Sequence, residues 1–148
     1  MRALALDMGS KRIGVAISDS GGRVATPIDT VHRCGDRPRE HREIAALVLE
    51  WEAEIVVVGL PLSLDGTIGP AAKGVLDEID VLGAALSVPV ETYDERLTTV
   101  TADRSLMEQN LGAAERRKVV DKVAAAVMLQ AWLDRRSMQP DPARPKED

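Results

Sequence analysis

The sequence predicts an α/β fold: one mixed five-stranded sheet, with three antiparallel strands first and α/β units after them, flanked by helices. Three observations predict it. Short apolar runs open the chain, three in succession with brief links, as in an antiparallel meander. After residue 36 the apolar period changes to helical spacing. Two β-branched runs, at 54–58 and 88–93, then each follow a helical stretch, as strands of α/β units do.

The first strand, Leu4-Ala5-Leu6, ends at Asp7-Met8-Gly9, and a second apolar run, Ile13-Gly14-Val15-Ala16-Ile17, follows at once. The pair reads as a β-hairpin with Asp7 at its mouth. Residues 23–33 (RVATPIDTVHR) read as the third strand, with Pro27 marking an edge position or a bulge. Ile44, Leu47, Val48 and Trp51 then recur at helical spacing, with Pro38 near the start, where a missing N–H is harmless. The run 54–58 (EIVVV) enters Gly59-Leu60-Pro61 and reads as a strand buried on both faces, parallel to the first. A loop at 61–69 leads to Pro70 and a helix carrying Val75, Leu76, Ile79, Leu82 and Leu86. Residues 88–93 form the fifth strand.

Beyond Asp94-Glu95-Arg96, Thr98 or Thr99 caps a helix to about Asn110, stopped by Gly112. Residues 115–118 (ERRK) read as a basic turn and 119–136 as the last helix. Pro140, Pro142 and Pro145 mark 137–148 as a disordered tail, which leaves 1–136 as one domain. Three antiparallel strands, then α/β units, with an acid on the first strand, is the ribonuclease-H-like arrangement.

Composition narrows the function. With 148 residues, 45% of them hydrophobic, the chain can bury a core without disulfides, and the single Cys34 fits a reducing compartment. No secretory signal opens it and no stretch nears the roughly 20 apolar residues of a membrane span, so a cytoplasmic protein without membrane contact is expected. A net charge of −5 means that nucleic acid must be held by local basic clusters. Aromatic residues are 2%, with no Phe, which weighs against modules that stack bases on aromatic platforms.

An acid at the end of a buried strand needs a cation, a hydrogen-bonded partner or a turn of its own backbone. Two other acids could join Asp7. Glu95 leaves the fifth strand beside Arg96 and two threonines. Asp121 stands at offsets of three, four, seven and eleven from Ala124, Ala125, Met128 and Trp132, on an apolar helical stripe that begins with small residues. Singly, each acid has an ordinary explanation: the helix dipole for Asp121, a surface ion pair for Glu95.

Three converging carboxylates require a hard cation, Mg²⁺ or Mn²⁺, and two such ions suit phosphodiester hydrolysis. Lys11, Arg12, Arg96, Arg116, Arg117, Lys118 and Lys122 lie near these acids in sequence and would hold a phosphate backbone. The N-termini of the helices after Gly69 and Thr98 offer N–H groups for further phosphates. Arg33, Arg37, Arg39 and Arg42 read as solvated surface, His32 and His41 as surface or strand residues, and Asp65 as a turn residue, with a place near the metals as its alternative. No phosphate-binding P-loop and no G-x-G-x-x-G motif is present.

These residues resemble the YqgF family, described as Holliday junction resolvases and as pre-16S rRNA nucleases. The resemblance covers most of the chain. It rests on Asp7-Met8-Gly9 with Lys11, on Ile13-Gly14-Val15-Ala16, on Val58-Gly59-Leu60-Pro61-Leu62 with Asp65-Gly66, on Asp94-Glu95-Arg96-Leu97-Thr98-Thr99, and on Val120-Asp121 with Ala124-Ala125. It implies a ribonuclease-H-like fold with catalytic, metal-ligating acids at Asp7, Glu95 and Asp121. Met8 departs from the family pattern, which often has an aromatic there, and the Pro-rich tail is an addition.

The substrate is then precursor ribosomal RNA or structured DNA, and the working form a monomer or a homodimer. RNA processing is the expectation, with junction resolution the alternative and a non-catalytic nucleic-acid-binding domain a further one. Asp-x-Gly after a first strand is also similar to the phosphate loop of actin-like ATPases and sugar kinases, which need two such domains. If the sheet order is 3-2-1-4-5, Glu95 leaves a strand two places from Asp7, roughly 9–10 Å away, and must lean inward or be bridged to it by a metal.

Overall fold

The computed structural model describes residues 1–98 and 113–138, with the side chains of 113–122 excepted. Strands β1 (Ala3–Met8), β2 (Arg12–Ser18) and β3 (Ala25–His32) form the antiparallel meander. Helix α1 (Arg37–Glu50), strand β4 (Ile55–Leu60), helix α2 (Pro70–Ala85) and strand β5 (Val90–Asp94) follow as α/β units. A 3₁₀ turn (Glu95–Leu97) comes next, and the described chain ends in α3 (Ala113–Met138). The five strands make one sheet in the order β3-β2-β1-β4-β5, with β4 parallel to both β1 and β5. This is the mixture of directions that the sequence predicts.

Alternation along the strands sorts two cores. Leu4, Leu6, Ile13, Val15, Val56 and Val58 pack with Ile44, Val48, Val75 and Leu82 of α1 and α2 on one face. Ala3, Ala5, Ala16, Ile55, Val57 and Tyr93 pack with Ala125, Met128, Leu129 and Trp132 of α3 on the other. The central strands therefore bury apolar residues on both faces, and small residues on the second face let α3 approach. Pairing between β2 and β3 jumps from Val15–Asp29 to Ala16–Pro27, so Pro27 sits at a bulge on an edge strand, where its missing N–H breaks no ladder.

Several boundaries and roles differ from the sequence expectation. Residues 115–118 are helical, since α3 begins at Ala113: Glu, Arg and Lys are good helix formers and no breaker follows Gly112. That helix runs to Met138, two residues past its expected end, and the rest of the expected tail, 139–148, lies outside the described residues. The expected helix from Thr98 or Thr99 to Asn110 also lies outside them, Thr98 excepted.

Arg33 and His41 are not surface groups. His41 is buried on α1, on the Ile44 and Val48 stripe, with Nε2 2.9 Å from Glu78 Oε2. Arg33 reaches under the β3–α1 connection, where its guanidinium donates to Glu40 at 3.1 Å and to both carboxylate oxygens of Glu78 at 2.7 and 2.9 Å. The cause is mutual: Glu40 and Glu78 occupy core positions of α1 and α2, and a buried carboxylate demands a charged donor. Arg37, Arg39 and Arg42 are exposed, as expected.

Candidate active site

Asp7 shares its strand face with Ala3 and Ala5, so it points to the α3 side of the sheet. Its cross-strand partner on β2 is Gly14, and one step beyond the Leu6–Val58 pair the neighbouring position on β4 is Gly59. The acid thus stands between two glycines, on a floor that carries no side chains. Behind it the chain turns sharply: Gly9 N–H donates to the Asp7 carbonyl at 3.0 Å, and a Cβ on Gly9 would collide with the Arg12 carbonyl. Glycine is obligatory there on steric grounds.

Glu95 is brought to the same face by the 3₁₀ turn. Asp94 caps that turn by accepting from Arg96 N–H at 3.0 Å, and its carboxylate also takes a two-point grip on the guanidinium, at 3.0 Å to Nε and 2.7 Å to Nη2. Those Arg96 hydrogen bonds hold the Asp94 carboxyl below its ordinary range. Thr98 closes the other end, its N–H and hydroxyl both donating to the Glu95 carbonyl at 3.1 and 2.9 Å. The Glu95 side chain then leans back over β4: its Oε1 lies 2.7 Å, and its Cγ 3.1 Å, from where a Cβ of Gly59 would stand. Leaning inward brings the carboxylate above the strand adjacent to Asp7, about one strand spacing of ~4.8 Å from it in place of two. The absence of a side chain at Gly59 makes the approach possible, and Met128 Sδ of α3 closes it from above.

Asp121 lies in α3, one turn before the buried Ala124 and Ala125 and two before Met128. The helix runs from the Gly59 end of the sheet, where Met128 packs, to the opposite end, where Leu133 packs near Gly22. The position of Asp121 is therefore at the end of α3 nearer Asp7; its side chain lies outside the described residues. Among the described residues no group of three or more His, Cys, Asp or Glu could hold a metal ion.

The basic residues divide. Lys11 is exposed in the β1–β2 turn, and Arg12, by alternation with Gly14 and Ala16, is on the Asp7 face and half-buried. Arg96 spends its guanidinium on Asp94 and on the Leu64 carbonyl, at 3.3 Å, so it ties the 61–69 loop to the Glu95 turn. The side chains of Arg116, Arg117, Lys118 and Lys122 lie outside the described residues. Asp65 accepts from Thr67 N–H at 3.0 Å and Thr67 Oγ1 at 2.7 Å, as a turn aspartate does. The N-terminus of α2 is capped by Gly69 with no side-chain hydrogen bond, and no helix among the described residues is long and apolar enough to cross a membrane.

Sequence reasoning missed the two glycines that frame Asp7. The signal was present in Ile13-Gly14-Val15 and Val58-Gly59-Leu60, glycines interrupting β-branched strands, which mark a close approach of another group.

A family model described as "RuvX: Holliday junction resolvase" matches residues 1–135. A Clostridium kluyveri protein named "Putative pre-16S rRNA nuclease" is 42% identical over 135 residues, covering 91% of this chain and 98% of the relative. A Mycobacterium ulcerans protein of the same name is 49% identical over 137 residues, covering 91% and 79%. Among solved structures, Thermus thermophilus RuvC superposes with a TM-score of 0.54 at 15% identity over 93% of this chain and 96% of that one. The same protein in complex with a Holliday junction substrate gives 0.51 at 18% identity, over 93% and 97%. At these identities the likeness is one of fold, the ribonuclease-H-like fold. On the extent of the family match and the identity to these relatives, the chain belongs to the RuvX family, the YqgF family that its motifs resemble.

Proposed function

We propose that this protein is a divalent-metal-dependent endonuclease that hydrolyses phosphodiester bonds, acting at the 5′ end of precursor 16S ribosomal RNA. The observation that carries this reading is the reach of Glu95 across Gly59 toward the Asp7 face of the sheet. Two carboxylates drawn to one glycine floor repel one another, and a cation between them offsets that repulsion. The donor set fits Mg²⁺ or Mn²⁺, which take hard oxygen ligands, and the glycines leave the space. Asp7, Glu95 and Asp121 would hold it. Bound there, the metal supplies activation of a water and stabilisation of the leaving oxygen in phosphodiester hydrolysis.

The chain's own residues would supply orientation. Asp94, Arg96 and Thr98 fix the turn that carries Glu95, and the Gly9 turn fixes the end of β1. Lys11 and Arg12 stand at the mouth to receive a phosphate backbone, joined by Arg116, Arg117, Lys118 and Lys122 from α3, a contact that sets position and carries little sequence information. The relatives' names favour ribosomal RNA as substrate. A second reading, cleavage of a four-way DNA junction, is favoured by the family's description.

The test is a side-by-side assay of precursor 16S ribosomal RNA and a four-way DNA junction with Mg²⁺ or Mn²⁺. RNA cleavage is expected, and Asp7→Asn should abolish it while leaving nucleic-acid binding intact. Cleavage of the junction alone would move the substrate to DNA, and undiminished cleavage by Asp7→Asn would falsify the metal assignment.

A further inference from the structure

The cluster around Arg33 lies on the sheet face opposite Asp7 and plays no part in the chemistry above. All five N–H donors of its guanidinium are taken. Nε donates to the Gly9 carbonyl at 3.1 Å, Nη1 to Glu40 and Glu78, and Nη2 to Glu78 and, at 3.8 Å, to Met8 Sδ. Its backbone N–H donates to the Lys11 carbonyl at 2.9 Å. One residue therefore grips both limbs of the β1–β2 turn, at Gly9 and at Lys11.

The grip extends to the main chain of Asp7. Gly9, whose carbonyl Arg33 holds, donates its own N–H to the Asp7 carbonyl. Arg33, anchored on the buried Glu78 and Glu40, thus fixes the peptide that follows Gly9, while the peptide that precedes Gly9 is bonded to the Asp7 main chain. Glycine is obligatory at this turn and is the residue with the most backbone freedom to lose, so contacts from outside the turn add to the rigidity that its own hydrogen bond and the β1–β2 ladder supply. Stability alone does not account for the device, because apolar residues of similar volume usually replace a buried ionic cluster without loss.

We propose that Arg33 is a positioning residue for Asp7, a clamp anchored on Glu78 and Glu40 that holds the turn at the geometry metal binding requires. The proposal rests on the reading of Asp7 as a metal ligand. Lysine at 33 keeps the charge, but three rotatable donors cannot replace five in a fixed fork.

The experiment measures Mn²⁺ binding to the full chain by electron paramagnetic resonance, which needs no cleavage, alongside thermal melting. The variants are Arg33→Lys and the charge-free triple variant Arg33→Met/Glu40→Gln/Glu78→Gln. Both should weaken Mn²⁺ binding about tenfold in protein that still melts cooperatively, the scale seen when groups supporting a ligand are removed. In the cleavage assay kcat should fall with KM for nucleic acid unchanged. Variants that melt earlier yet bind Mn²⁺ as the parent does would overturn the clamp and leave Arg33 a structural residue. Should the triple variant not fold, Arg33→Lys decides alone. Asp7→Asn is the separating control: Mn²⁺ binding that it does not weaken overturns the metal site itself, and the clamp with it.

Discussion

Replacing Gly59 with alanine tests the geometry that joins Glu95 to Asp7. The added Cβ would stand 2.7 Å from Glu95 Oε1, 2.7 Å from Met128 Sδ and 3.1 Å from Glu95 Cγ. Restoring ordinary contact, about 3.4 Å or more, demands that the carboxylate and the sulfur each retreat by about 0.7 Å. Met128 is flexible and gives way. The Glu95 backbone is held, because its turn is closed by Asp94 and Arg96 on one side and by Thr98 on the other, so the clash is relieved by rotating the side chain. The carboxylate therefore leaves the Asp7 face.

A misplacement of about 1 Å costs up to about 10²-fold in rate, so Gly59→Ala should lose about 10- to 100-fold in kcat. Overpacking should cost about 1–3 kcal/mol of stability, leaving the protein folded. The assay is single-turnover cleavage over a series of Mn²⁺ concentrations, with urea unfolding of the same preparation. A variant that loses stability but keeps the parent's rate and Mn²⁺ dependence would show that Glu95 does not act from above Gly59. Gly74→Ala is the matched control: nothing lies within 4 Å of its Cβ, and alanine there should stabilise α2 by about 0.5–1 kcal/mol with cleavage unchanged.

Three further outcomes are expected. Arg33→Ala should destabilise the protein by about 3–5 kcal/mol in urea unfolding, because it strands two buried carboxylates, and a loss below about 1 kcal/mol would contradict their burial. Burial pushes the Glu78 and Glu40 carboxyls up, but hydrogen bonds outweigh it, from Arg33 and His41 to Glu78 and from Cys34 N–H and Arg33 to Glu40, and hold both below 4.5. The folded state then binds fewer protons than the unfolded one, so their contribution is complete above about pH 4.5 and is lost as pH falls through the lowered values. A Glu40→Gln/Glu78→Gln variant should show a flatter acid limb in unfolding free energy between about pH 3 and 6. Asp94→Ala should cost about 0.5–2 kcal/mol in urea unfolding through the lost cap, and lower kcat because Asp94 fixes the turn that carries Glu95; an unchanged kcat would remove the turn from the site.

Much of the fold is legible without coordinates because each strand's burial is written in its own residues. Ile55–Leu60 is apolar at every position, so it belongs in the middle of a sheet covered on both faces, and its place after a helix makes it parallel to β1. Pro27 announces both an edge and a bulge. The basic stretch at 115–118 misleads, because charge clusters suggest a solvated turn while the same residues are good helix formers. Arg33 and His41 mislead for a different reason. Their partners Glu40 and Glu78 are 7 and 37 residues away, and the local signs were acids on apolar stripes, Glu40 on that of Ile44 and Val48 and Glu78 on that of Val75 and Leu82.

The sequence by itself determined the strands, their mixed directions and the candidate acids Asp7 and Glu95, because hydrophobic period and turn chemistry are local properties that survive in a linear reading. It posed the distance between those acids as a difficulty, since two intervening strand spacings separate their strands. Only the tertiary structure decided how that distance closes. A side chain's reach depends on what the neighbouring strand does not carry, and it is the missing Cβ of Gly59, beneath Glu95 and beside Asp7, that lets one carboxylate lean toward the other.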